Sequence, residues 1–349
     1  MIENLYTQLD INNINSNTIK TIRGLLPDNQ KVSKENFTKE YIFDNLSELL
    51  KIYSIKQNLS ETIFASKGSL KWYRIIYDDA FIEENLLDRL KSLENYNKKL
   101  DDLQDSEIKK NSIIGIVKHD NVFILKILFV EGHRKLTNGV HSTKEEILKV
   151  AVVKMDTQNK WLEIRASQKH CEAIKNIIEA ACGLNNRLKE IDILDKYNND
   201  VEKFKNDLKS GFYLTSQSIP AQNITLTLED ANKIKKIFKS IDKYMLTQNI
   251  DELGNSLEDI NLNVSLGELM LAGLDSFDIT IKNSSKEDIS KQAFYSIFKE
   301  YTIENISYLK FLDNAGYECT IQIGIKTNTI RFMSNTNEST IKYIRNKIV

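Results

Sequence analysis

The alternation of apolar and polar residues between 149 and 181 predicts two strands followed by a helix. Thr157 to Asn159 forms the expected turn, and Ser167 is placed to cap the helix. The second strand is expected to place Trp161, Glu163 and Arg165 on one face and Leu162 and Ile164 on the other. This is the period of a strand with one face in the core, so Leu162 and Ile164 should pack against the helix.

A second unit of the same order is predicted at 319–348. Its helix has Asn335 and Glu338 at the spacing of a capping box. The chain therefore contains two predicted hairpin-plus-helix modules, which we call ββα units. Their sequence identity is low, so the pattern alone does not establish a duplication.

The remaining periodicities divide the chain into five parts and predict an α+β fold with antiparallel sheets. The parts are a helical N-terminal domain 1–80, a long acidic amphipathic helix 81–110, an antiparallel sheet plus helix 111–183, a long connecting helix 184–209, and a C-terminal α+β domain 210–349 ending in a ββα unit. In this scheme the two long helices join the sheet modules.

Residues 113–130 read as a hairpin that turns at His119, Asp120 and Asn121. Thr143 and Glu146 then have the spacing of a capping box, which predicts one helical turn before the next strand.

Composition narrows the function classes. The 349 residues are 41% hydrophobic and 28% charged, which is typical of a folded chain with two or three domains. The net charge of -1 excludes a protein that coats nucleic acid through a globally basic surface, but a local basic region remains compatible with it. An excess of Asn, Ile and Lys with only two prolines indicates the bias of an AT-rich bacterial genome.

Three cysteines without a CxxC pair favour reduced, buried thiols over a disulfide framework or a zinc finger. The first ten residues lack a basic segment followed by an apolar one, and no run of about 18 apolar residues occurs. We therefore expect a cytoplasmic protein that does not contact a membrane and carries no cofactor.

The sequence contains no phosphate-binding loop, dinucleotide fingerprint or catalytic motif that would define an enzyme. All four histidines nevertheless fall in one stretch: His119, His133, His141 and His170. With Asp156 and Glu163 they give one hypothesis, a metal-assisted hydrolase or nuclease. Their spacings match no known ligand pair, which favours solvated or capping histidines instead.

The main hypothesis is a non-enzymatic modular binding protein that contacts DNA or RNA. Residues 126–175 contain ten Lys or Arg against six Asp or Glu, which makes them the most basic part of the chain. The residues predicted to bind nucleic acid are Arg134, Lys135, Lys154, Lys160, Trp161 and Arg165. Phage defence or control of mobile elements is a role that such bacterial proteins serve. The alternative is a charged outer face with Trp161 covered by a neighbour.

The other hypothesis is an adaptor or scaffold that binds a protein partner, or a second copy of itself, through the acidic helix 81–105. Residues 78–107 hold ten acidic residues against four basic ones. The predicted interface is an apolar stripe with one Asn in the seam: Leu86, Leu90, Leu93, Asn97 and Leu100. A buried Asn at such a position fixes the register of paired helices.

Overall fold

A computed structural model gives the fold of most of the chain. It describes residues 2–65, 68–100, 109–137, 142–209, 211–220, 228–258, 277–280, 302–313, 316, 318–334 and 336–349. Within these residues helices and antiparallel strands are mixed, which confirms the predicted α+β class. The chain divides into two compact units. The first comprises 1–199, 313–319 and 327–349, and the second comprises 200–312 and 320–326.

The helices of the described residues are α1 (Gln8–Asn13), α2 (Ser16–Gly24), α3 (Lys39–Asp44), α4 (Leu46–Leu49), α5 (Tyr53–Thr62), α6 (Glu83–Ser92), α7 (Cys171–Cys182), α8 (Val201–Asp207), α9 (Leu228–Thr247), α10 (Ile250–Glu258) and α11 (Glu338–Ile348). The strands are β1 (Ser69–Ile75), β2 (Ser112–His119), β3 (Val122–Thr137), β4 (Ser142–Asp156), β5 (Trp161–Arg165), β6 (Leu188–Glu190), β7 (Gly211–Pro220), β8 (Phe277–Thr280), β9 (Thr302–Leu312), β10 (Glu318–Gly324) and β11 (Thr329–Phe332).

The sheet of the first unit has the order β2-β3-β4-β5-β1, and β1 also pairs with β6 and β11. The pairs β2–β3, β3–β4 and β4–β5 are antiparallel neighbours in sequence. By contrast, β1 pairs with β5 across a long stretch of chain, with Trp72 opposite Glu163, 91 residues apart. In the second unit, β7 pairs with β8 and with β9.

Each face of the first unit's sheet has its own core. On one face, Leu162 and Ile164 pack in a cluster with Ile174 and Ile178 of α7. On the other face, Ile124 and its neighbours form a second cluster with the N-terminal helices. Burying both faces explains why β3 is apolar at almost every position from 123 to 129, whereas a half-buried strand would alternate.

The predicted order of strand, strand and helix occurs at both places, as β4, β5 and α7 and as β10, β11 and α11. Ile164 is fully buried, and Ile177 packs against the same core, as the apolar pattern predicts. The capping residues differ from the prediction. Ser167 forms no side-chain capping bond, and α11 is capped by Asn337, whose side chain accepts from the Thr340 N–H at 2.8 Å. Asn335 lies outside the described residues.

The helix predicted over 81–110 is wrong in its extent, because α6 ends at Ser92. Leu93 is extended, Asn97 has a left-handed φ of 58°, and the Asn97 N–H donates to the Ile116 carbonyl at 2.8 Å. Pairing beside β2 therefore replaces helix continuation. Residues 101–108 lie outside the described residues.

The helix predicted over 184–209 is also wrong. Gly183, with a φ of 68°, ends α7, and Leu188–Glu190 then adds to β1 as strand β6. Helix resumes only at Val201, where Asp200 caps α8. Leu188 and Ile191 fall within the predicted helix, but they are buried beside β1 instead.

Three smaller predictions also concern this first unit. The hairpin turn at His119, Asp120 and Asn121 is confirmed, with Asp120 in the left-handed region. No helical turn forms at Thr143, because β4 already begins at Ser142 and lengthens the hairpin. The predicted helical domain also ends early, because 69–75 is the central strand β1.

Candidate nucleic-acid interface

Strands β3 and β4 continue beyond their neighbours as a two-stranded ribbon. The pairing of β2 with β3 starts at Ser112 and Leu128, and β5 pairs with β4 only from Val152 onward. Beyond these points the two strands pair with each other from Gly132 opposite Ile147 to Thr137 opposite Ser142. No other described strand pairs with this part, so we call residues 132–137 and 142–147 the free ribbon.

The free ribbon leaves the sheet at an irregularity in β3. Its register with β4 shifts between Val130 and Gly132. Just before the shift, the Val130 N–H donates to the side-chain oxygen of Asn111 at 3.2 Å. A residue outside β3 and β4 therefore holds the backbone of Val130 in place. A bulge bends its strand and increases the local twist, and it therefore redirects the ribbon relative to the sheet.

One face of the free ribbon carries most of its positive charge. Residues opposite each other on paired strands share a face, and this face has His133 opposite Glu146 and Lys135 opposite Lys144. Lys110 pairs with Glu146, which neutralises that carboxylate and holds its pKa below the usual range. Lys135 and Lys144 are exposed, and neither has an ion pair or hydrogen bond to any described residue. We call these four ribbon residues the cationic face.

The opposite face of the free ribbon is electrically balanced. Arg134 lies opposite Glu145, and its guanidinium contacts the carboxylate at 2.6 Å. Both side chains are largely exposed, so this pair contributes little to stability. The net charge of the ribbon therefore lies on the cationic face alone.

The structure separates the six residues predicted to bind nucleic acid. Arg134 and Lys135 lie on the free ribbon. Lys160 is exposed in the β4–β5 turn, and the twelve steps along β4 from Lys144 to Asp156 span up to about 40 Å. Lys160 therefore does not belong to the same surface.

Trp161 is buried on the sheet face that α11 covers, and Lys154 and Arg165 are partly buried on the same face. Arg165 pairs with Glu163 at 2.6 Å and with Glu338, and Lys154 donates to Glu338 at 2.7 Å. Glu163 also accepts from Arg345 at 2.7 Å and from the Trp72 indole at 2.9 Å. The Arg345 guanidinium stacks 4.2 Å from the centre of the Trp161 ring. We call Lys154, Glu163, Arg165, Glu338 and Arg345 the ion network.

The ion network keeps its charges in the core by pairing them. Burial alone would raise the pKa of Glu163, but Arg345 and Arg165 hold it far below its usual range. Burial opposes ionisation of Glu338 in the same way, but Arg165 and Lys154 lower its pKa to about 2. Both carboxylates are therefore ionised at neutral pH. Because Glu163 is fully buried, a ligand would have to open the core to reach it.

The leucine stripe that was predicted as a protein interface belongs to the core. Leu86 and Leu90 are fully buried against the sheet, and Leu93 packs against the same cluster. Leu100 is buried in the other core, and Asn97 lies beyond the end of α6 in a left-handed conformation. The spacing of the leucines is that of a short helix packed on a sheet, and the partner is the chain itself.

The histidines are not brought together. His119 lies in the β2–β3 turn, His133 on the free ribbon and His170 at the start of α7 against Phe129, while His141 is outside the described residues. Within the part that is described, no group of three or more His, Cys, Asp or Glu is arranged to hold a metal ion. Burial raises the pKa of the Cys171 thiol to about 11 and that of Cys182 to about 12, which keeps both thiols protonated at neutral pH.

Sequence reasoning missed Lys144 as a site residue, because its segment was assigned to a helical turn. It also missed Glu338 and Arg345, which lie more than 170 residues from their partners on β5. The signal for Lys144 was present in the basic composition of 126–175, but only the strand register places it opposite Lys135.

No protein-family model matches the chain, and no curated protein matches it either. None of the helices in the described ranges combines the length and the hydrophobicity that are needed to span a bilayer.

Proposed function

We propose that the protein is a non-enzymatic nucleic-acid-binding protein whose cationic face contacts phosphate groups. The observation that carries this proposal is the placement of Lys135 directly opposite Lys144 on the exposed free ribbon. Two like charges in this position repel each other in the free protein. A polyanion would relieve that repulsion, because it supplies negative charge along the length of the ribbon.

A different reading of the lysines is protection of the ribbon's unpaired edges. Charged side chains, lysine above all, keep exposed strands from pairing with other chains. Protecting an exposed strand edge from pairing with another chain requires charged side chains, but it does not require two charges of the same sign to face each other. The opposite face carries the balanced pair Arg134 and Glu145 at the adjacent position, and it is charged without repulsion. The difference between the two faces therefore favours an anionic ligand.

Electrostatics also determines how binding should depend on salt. Each lysine that contacts a phosphate releases condensed counterions, so the affinity falls as salt increases. With two lysines that have no partner among the described residues, we expect weak binding that is detectable at about 50 mM salt and much weaker at about 200 mM. Replacing both lysines by Gln should lower the slope of log affinity against log salt by about two.

The variant that separates binding from protection is Lys144→Glu. It keeps a charge on the edge, and it converts the repulsive pair into an attractive one, so we expect a gain in the free energy of unfolding of about 0.2 to 1 kcal/mol. We expect binding to labelled DNA or RNA to be lost at the same time. Urea denaturation measures the first effect, and fluorescence anisotropy measures the second.

The matched control exchanges the charges on the opposite face, as Arg134→Glu with Glu145→Arg. This double variant preserves the pair and the net charge of the ribbon, so affinity should stay within about twofold of the parent. If Lys144→Glu binds as tightly as the parent, the cationic face does not hold phosphate. Absence of binding by the parent to every nucleic acid at low salt would also refute the proposal.

A further inference from the structure

We infer that the cationic face enters the major groove of duplex DNA in the B form. This inference rests on the proposed function and names the class of nucleic acid. Its first support is shape. Two paired strands lie about 4.8 Å apart, and with their side chains they match a groove about 12 Å wide that admits a two-stranded ribbon.

The free ribbon also has the required reach. Six residue pairs from Gly132–Ile147 to Thr137–Ser142 extend beyond the neighbouring strands, and each step along a strand is about 3.4 Å. The ribbon is therefore about 17 to 20 Å long, which is about half a turn of B-DNA along the groove. Both outer edges are free of any other described strand, so the flanks of the ribbon can lie beside the two phosphate backbones.

The distribution of side chains favours a duplex over a single strand. Proteins that bind single strands stack successive bases on aromatic rings. The free ribbon has no Phe, Tyr or Trp in its sequence, and Trp161 is buried under Arg345. The cationic face offers Lys135, Lys144 and His133, and its one carboxylate, Glu146, is paired with Lys110. Lysine is a donor to the guanine O6 and N7 atoms at the floor of the major groove.

The same geometry disfavours duplex RNA. The major groove of an A-form helix is deep and too narrow for side chains to read. Its minor groove is wide and shallow, and proteins read it through contacts to 2′-hydroxyls and phosphates over a broad surface. A narrow ribbon with its charge on one face does not match that surface. We therefore expect duplex RNA to bind more weakly than duplex DNA of the same sequence.

The test uses the full chain and four labelled probes of about 20 base pairs or nucleotides at about 50 mM salt. They are a DNA duplex, an RNA duplex of the same sequence, one DNA strand alone, and the DNA duplex with glucosylated hydroxymethylcytosine, whose sugars fill the major groove. We expect the plain DNA duplex to bind at least about tenfold more tightly than each of the others by fluorescence anisotropy. Lys135→Gln with Lys144→Gln should remove most of that preference, and Arg134→Gln with Glu145→Gln should retain it.

Each contrary result has a distinct meaning. If the RNA duplex or the single strand binds as tightly as the DNA duplex, and the lysine variant still loses that binding, the inference is wrong and the proposed function stands. Equal binding of the glucosylated duplex overturns the major-groove assignment in the same way. If no probe binds, or if the lysine variant binds every probe like the parent, both the inference and the proposed function are wrong.

Discussion

Helices α7 and α11 follow hairpins of the same order, yet they cover the two faces of strand β5 with different chemistry. Towards α7, β5 presents Leu162 and Ile164, which pack with Ile174 and Ile178. Towards α11, β5 presents acidic and basic groups that pair with Glu338 and Arg345 of the helix. Both faces are buried, so burial alone does not distinguish them.

The difference lies in how each face fixes the position of its helix. Apolar contacts are non-directional, and α7 would retain most of its burial if it slid by a fraction of a turn. The ion network is directional, because each carboxylate oxygen of Glu163 has its own donors. A buried network of this kind adds little net stability relative to an apolar core, but breaking one part of it is costly. The charged face therefore fixes where α11 docks.

The largest effect should come from placing an unpaired charge at a fully buried apolar position. Ile164→Asp faces α7, and Ile344→Asp lies on α11 at a fully buried position. Burying an unpaired carboxylate costs several kcal/mol, which approaches the total stability of a domain. We expect both variants to unfold the first unit, as measured by circular dichroism and limited proteolysis. The exposed substitution Lys342→Asp on α11 is the control and should leave the unit folded.

A smaller but still large loss is expected when the ion network loses one member. Glu163→Gln leaves Arg165 and Arg345 buried with a neutral neighbour, and it should lower the free energy of unfolding by about 3 to 5 kcal/mol. Urea denaturation measures this change. Adding Arg345→Met to Glu163→Gln removes the stranded charge, so the double variant should be less destabilised than the sum of the single variants. Strictly additive losses would mean that the two residues are not coupled.

The sequence predicted the elements that local patterns determine. The β4–β5–α7 unit, the β10–β11–α11 unit and the turn at Asp120 follow from periodicity and turn residues within about 30 positions. The predictions of the two long helices were wrong because contacts with distant strands determine where each helix ends. Residues 188–190 add to β1, which lies more than 110 residues earlier, and Asn97 bonds beside β2. Helical spacing of leucines could not reveal these partners.

Contacts between residues far apart in the chain also explain why the residues predicted to form one site lie on different surfaces. Alternation along β5 correctly placed Trp161, Glu163 and Arg165 on one face, but it did not show that α11 covers that face. From the sequence alone, the charged residues of β5 were therefore predicted to lie on an exposed surface. Their partners on α11 are more than 170 residues away in the chain. Conversely, the position of Lys144 opposite Lys135 depends on strand register, which a sequence does not display. Local charge composition located the basic segment but could not sort its buried lysines from its exposed ones.

The smallest effect should be a difference in acid stability between the two faces. Glu338 has a pKa of about 2 in the folded protein and an ordinary value of 4.5, so its depressed pKa stabilises the ionised, folded state. That contribution is fully present above about pH 4.5 and is lost as the pH falls towards 2. We expect no change in stability from this group between pH 7 and pH 5, and a progressive loss below pH 4.5.

Glu338→Gln should flatten that loss, whereas Ile178→Val on α7 should lower stability by about 0.5 to 1.5 kcal/mol equally at every pH. Urea denaturation at a series of pH values tests this, and a parallel acid profile for the parent and Glu338→Gln would show that the charged face does not carry the acid sensitivity.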